Sequence, residues 1–150
     1  MRAATLSTSA DEYSLRIGFG NFTTIGSDPA DGVFALYDRA VQGDFWGLRT
    51  CANSSCSTLK LDGTNGTTSQ PLVAGTWYVL RPCVAADGAT VTLAVNGVTS
   101  GTIASGSAIP LEANARRVAI GSTLIKSVGT NNRTIDLDYL GFDLPFGVAR

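Results

Sequence analysis

The stretch Tyr13-Ser14-Leu15-Arg16-Ile17-Gly18-Phe19 decides how the rest of the chain is read. Apolar and polar residues alternate along it with period two. A strand turns successive side chains to opposite faces. The pattern therefore predicts a half-buried β-strand with Tyr13, Leu15, Ile17 and Phe19 inward. Outward from here the same reading repeats. Asp28-Pro29-Ala30-Asp31-Gly32 is turn chemistry and leads into a strand at Val33–Tyr37. Gly43-Asp44 leads into Phe45–Thr50, and Cys51 to Cys56 encloses a polar hairpin tip before Ser57–Leu61 returns. A loop of Gly, Thr and Asn spans Asp62 to Gln70, and Thr76–Arg81 reads as a further strand. Pro82 then removes one ladder donor, which suits an edge or a bulge. Asp87-Gly88 and Asn96-Gly97 are hairpin turns around strands Thr90–Val95 and Val98–Ile103. Val118–Gly121 is a short strand. Thr134–Leu140 alternates again, with Ile135, Leu137 and Tyr139 on one face and Asp136 and Asp138 on the other. About nine strands, with no stretch of sustained 3.6-residue period, predict an all-β antiparallel sandwich or barrel.

Composition agrees. The chain has 150 residues, one domain's worth, with 44% apolar and only 15% charged residues. Seventeen glycines, seventeen threonines and thirteen serines suit short strands and tight turns. Lysine occurs only as Lys60 and Lys126 and glutamate only as Glu12 and Glu112, so a helix-rich fold lacks its building blocks. Histidine is absent, which removes imidazole acid–base chemistry and most zinc and copper sites. A net charge of −1 gives no electrostatic footprint for nucleic acid or anionic lipid. The opening residues lack the apolar run of a signal peptide, and no apolar stretch reaches the roughly 20 residues of a membrane span. Residues 1–10 read as an N-terminal arm, 11–144 as the sandwich domain and 145–150 as a tail, with Phe146 as a docking side chain.

In order along the chain stand GFGNF, DGVFALYDR, FWGLRT, GTWYVLR, DGATVTLAVNG, AIP and DLDYLGF. Over residues 11 to 144 this order resembles the concanavalin A-like lectin/glucanase jelly roll, in particular its small versions in bacteriophage virion proteins. The resemblance implies two packed antiparallel sheets. It also implies a non-enzymatic structural or recognition domain on the outside of a virion, as a head decoration or a tail or fibre component. The implied partners are other virion proteins, further copies of the chain in symmetric assembly, and a surface glycan. Neither nucleic acid, membrane nor cofactor is implied. With only twelve residues before Tyr13, where the family often has further strands, either the chain is a compact member or a sheet edge is left for a partner strand to cover.

A rival reading is a lectin-like module for a host glycan. Sugars stack on aromatic faces flanked by hydrogen-bonding groups. Tyr37, Trp46 and Tyr78 with Asp38, Asn53 and Asn65 are the candidates, and core packing is the alternative role for Trp46 and Trp77. Because Trp77 and Tyr78 are adjacent in a strand, one of them faces out. A third reading, an unusual glycanase, has only Asp136 and Asp138 to offer, and the E-x-D-x-x-E run of glycosidases of this architecture is absent. The same two aspartates, with Asp143, are the only candidates for a weak calcium site; solvated outer-face carboxylates are the plainer role. Cys51 and Cys56 sit opposite each other across a hairpin, at a spacing that a disulfide accepts. Cys83 is an alternative partner for either, and three reduced thiols are the remaining possibility. Four Asn-x-Ser/Thr triplets, at Asn21, Asn53, Asn65 and Asn132, receive no role, since turns rich in these residues generate them.

Overall fold

The computed structural model describes residues 1–23, 26–64, 67–104, 108–110 and 118–142. It is an all-β antiparallel sandwich. One layer has five strands in the order β5-β4-β3-β2-β9: β2 is Tyr13–Gly20, β3 Gly32–Asp38, β4 Gly47–Ala52, β5 Ser55–Lys60 and β9 Ala119–Lys126. The central pair runs Ser14 opposite Asp38 to Gly20 opposite Gly32, and β9 flanks β2 from Tyr13 opposite Lys126 to Gly20 opposite Ala119. A four-residue helical turn, α1 (Arg39–Gln42), follows β3, with Asp38 as its cap. The second layer holds β6 (Leu80–Val84), β7 (Val91–Val95) and β8 (Val98–Ile103). β1 (Arg2–Ala3) and β10 (Ile135–Asp136) extend it. Met1 and Tyr78 exchange backbone hydrogen bonds of 2.7 Å, while Val79 bonds to Asn96. Successive residues of a strand bond to opposite neighbours. β1 therefore lies beside the start of β6 on the side away from β7, and the layer runs β10-β1-β6-β7-β8.

The core lies between the layers. Tyr13, Leu15 and Ile17 of β2 and Val33, Ala35 and Tyr37 of β3 face Val91, Leu93 and Val95 of β7, with Trp46, Leu48 and Tyr78 between them. These are the inward positions that alternation predicts, except that Phe19 is only half-buried. Two of the hairpins close as their sequences require. Asn53-Ser54 and Asn96-Gly97 all have positive φ, between 50° and 83°, the mirror-image turn whose twist matches the strands. The GFGNF motif also finds its reason: Gly20 and Gly121 leave a flat seat on which the Phe22 ring rests, edge-on to Phe34 at 6.1 Å.

Three expectations are corrected. Residues 1–10 are not an arm: Ala3 is fully buried, Met1 and Leu6 pack on the core, and Ser7 bonds to Tyr37 and Tyr13. The apolar residues among them had no visible period because β1 is only two residues long. The strand expected at Thr76–Arg81 pairs with β7 from Leu80 to Val84. Its Pro82 lies on the margin of the three-stranded sheet, as a missing donor demands. The strand expected at Thr134–Leu140 shrinks to Ile135–Asp136, because its partner β1 offers only Arg2 and Ala3 to pair with. Past it the alternation has no sheet to obey, and Tyr139 is 83% exposed. Phe146 and the tail at 145–150 lie outside the described residues.

Candidate functional site

The aromatic residues expected to meet a sugar are inside the protein. Tyr13, Tyr37, Trp46 and Tyr78 form a chain of tilted rings with centroids 5.5, 6.3 and 5.6 Å apart. Trp46 and Tyr37 are fully buried and Tyr78 nearly so, which leaves no ring face for a ligand. Their hydroxyls are spent on the fold. The Tyr78 hydroxyl donates to the Pro71 carbonyl and accepts from Val73 N–H; that of Tyr37 accepts from Ser7 N–H and donates to Asp44. Burial pushes the Tyr37 phenol far above its ordinary range. Asp38 caps α1 through Ala40 N–H at 3.1 Å, and Asn53 is exposed at the β4–β5 turn. These two stand at opposite ends of the β3–β4 pair, about 20 Å apart by strand rise. The five described candidates therefore do not converge, and Asn65 lies outside the described residues.

The other candidates are also placed. Cys51 and Cys56 form a disulfide with Cα atoms 4.1 Å apart, and Cys83 is a free thiol on β6. Asp136 and Asp138 do not share a strand face, since β10 ends at Asp136. The Asp136 carboxylate instead accepts from Arg2 Nε and Nη2 at 2.9 and 2.7 Å. Among the described residues no three side chains of metal-ligating type come together, and Asp143 lies outside them. The depressed carboxylates have local causes. Hydrogen bonds from the Thr64 hydroxyl and N–H, then Lys60, hold Asp62 at about 2 in a tight turn. On the outer face of the five-stranded sheet Asp28 bridges Arg16 and Arg49, pinning the β2–β3 connection.

What reaches solvent is a different aromatic. Tyr78 and Leu80 point into the core, so Trp77 and Val79 point out; they are 48% and 69% exposed. Arg2 lies opposite both Trp77 and Asp136, so three short segments set Asp136, Arg2 and Trp77 in a row. The Arg2 guanidinium sits 5.3 Å from the Trp77 ring centroid, within cation–π range, while its other side grips Asp136. An aromatic surface, a cation and a carboxylate thus stand side by side on the outward face of the second layer. Alternation alone narrowed the choice to Trp77 or Tyr78. Both phases of the strand are apolar, so only the pairing with β1 decided it, and Arg2 carried no signal in the sequence at all. No helix among the described residues is long and apolar enough to cross a membrane.

Comparison with known protein families gives a match. The family model described as SO2946-like, C-terminal domain, matches residues 1–138. It spans β1 through β10, so every strand of the sandwich lies inside it. No curated protein and no solved structure matches the chain.

Proposed function

The chain belongs to the SO2946-like C-terminal domain family, and on that premise we propose that it is a non-enzymatic recognition domain that works by surface contact. The observation that carries this is Trp77. It is a large aromatic beside the buried chain of rings that the fold turns outward, and the Arg2 guanidinium lies over its ring. Rigid aromatics with an adjacent guanidinium are the side chains around which contact energy concentrates. The resemblance of the motif order to small virion jelly rolls supports placing this face on the exterior of a phage particle.

A lectin reading has its own support in the same row of residues. A sugar ring stacks on an indole while its hydroxyls meet an arginine and a carboxylate. Trp77 takes over the role that the sequence assigned to Tyr37, Trp46 and Tyr78. A glycan array followed by tryptophan-quenching titration tests it. Trp77→Ala is expected to abolish saturable binding while leaving the fold unchanged, with a stability loss under about 1 kcal/mol for so exposed a side chain. Trp46→Ala is expected to cost about 3–5 kcal/mol by opening a core cavity. Binding that survives Trp77→Ala sinks the assignment of the site. Mass spectrometry of purified particles tests the virion placement separately.

A further inference from the structure

A sheet edge displays unpaired N–H and C=O groups, and proteins protect such edges by shortness, proline, charge, bulges or covering loops. Among the described residues the margins of this sandwich follow that rule, with one exception. β10 is two residues long. β6 carries Pro82 on its margin. On β8 the Ser100 carbonyl is covered by Thr68 N–H, and the β7–β8 ladder is bulged at Leu93/Ala94. β5 ends on Lys60, and its Ser57 hydroxyl meets Ala108 N–H. β9 shares only the terminal lysine, Lys126. It is eight residues long, and its ladder to β2 is unbroken over eight pairs. It carries no proline and no charge before Lys126. Beyond its ladder with β2, no backbone hydrogen bond reaches Ala119–Lys126 from any described residue. A shallow groove of about 530 Å³, lined by Phe22, Val118, Ile120 and Thr123 among others, runs alongside.

We infer that the open edge of β9 is a self-pairing site, on which β9 of a second copy docks antiparallel to continue the five-stranded sheet. The occupant follows from the strand's own pattern. A two-fold axis normal to the sheet opposes residues of equal parity, because both inner faces must lie on one side. An axis through Ser122 sets Ser122 against its own copy, Ile120 against Leu124, Ala119 against Ile125 and Lys126 against Val118. Ile120 then meets Leu124 on the inner face and Ala119 meets Ile125 on the outer one, and the two lysines stand at opposite ends, away from each other. A net charge of −1 adds little repulsion between copies.

The inference is independent of what Trp77 contacts, because β9 lies in the other layer. Sedimentation of the full chain is expected to show a doubled mass that falls to the monomer on dilution. In a Cys83→Ser background, Ser122→Cys is expected to cross-link to a covalent dimer under mild oxidation, since directly opposed residues lie within disulfide reach. Ile125→Cys, which faces Ala119 in this register, is expected to form no covalent dimer in the same assay. Ser122→Lys would oppose two like charges and is expected to yield a folded monomer. A monomer at every concentration, or cross-linking of Ile125→Cys as readily as Ser122→Cys, would overturn the inference. A dimer undisturbed by Ser122→Lys would do the same. The two cysteine variants decide the matter even where Ser122→Lys fails to fold.

Discussion

Gln42 shows how one side chain in this protein works against its surroundings. It is fully buried in the last position of α1, packed on Gly47, and neither its amide oxygen nor its nitrogen has a partner among the described residues. A buried polar group without a partner carries its full desolvation cost, roughly 1–3 kcal/mol. Gln42→Met keeps the length and flexibility and removes the two polar atoms. It is expected to raise unfolding free energy by about 1 kcal/mol, as measured by denaturant titration. Gly47→Ala is expected to do the opposite, because an added Cβ runs into the Gln42 amide. Neither residue stands out in the sequence: a glutamine in a polar stretch and a glycine before a strand are ordinary until the fold lays one on the other. Trp46 and Trp77 make the same point. Both are tryptophans in apolar runs, one sealed in the core and the other half open, and no property of the residue itself separates them.

At the scale of elements, the hairpins were the most legible part. Asn96-Gly97 and the Cys51-to-Cys56 tip are local devices, in which a few adjacent residues specify the turn and the strands on either side. The disulfide belongs to this scale. By loop-closure entropy a ring this small contributes about 2 kcal/mol. Reduction is therefore expected to lower the denaturation midpoint measurably while leaving the β-sheet circular dichroism in place, because the Cys51–Cys56 pair is already set by the β4–β5 register. Short strands were the least legible. β1 and β10 have two residues each, too few to show a period, and both are defined by pairing: β10 with β1, and β1 with β10 and the approach to β6. The Trp77 site inherits this. Its three residues come from β1, β10 and the approach to β6, and no single segment encodes it.

Across the whole molecule, one buried node joins distant parts of the chain. Asp11 pairs with Lys126 at the end of β9 at 2.6 Å and with Arg133, which also donates to Thr5. Gly129, at φ 86°, passes so close that a Cβ would strike the Asp11 carboxylate. The hydrogen bond from Lys126 is the main reason the Asp11 carboxyl titrates below its usual range. A carboxyl depressed in the folded state adds stability above its unfolded value of about 3.9, and that contribution fades as pH falls through the folded value. Asp11→Asn is expected to be less stable than the parent at neutral pH, with the gap closing as the medium is acidified below about pH 4. Thermal melts across pH check it, and a gap independent of pH would refute the assignment. Of this protein, the amino-acid order alone determined the all-β class, most inward faces and the opposed placing of Cys51 and Cys56, because period, turn chemistry and hairpin spacing act between near neighbours. Tertiary structure alone decided which tryptophan meets solvent, what the first residues are for, and which strand edge no other described strand covers. Those depend on pairings between segments far apart in the chain, such as Arg2 with Trp77 and with Asp136, whose partners no local pattern announces.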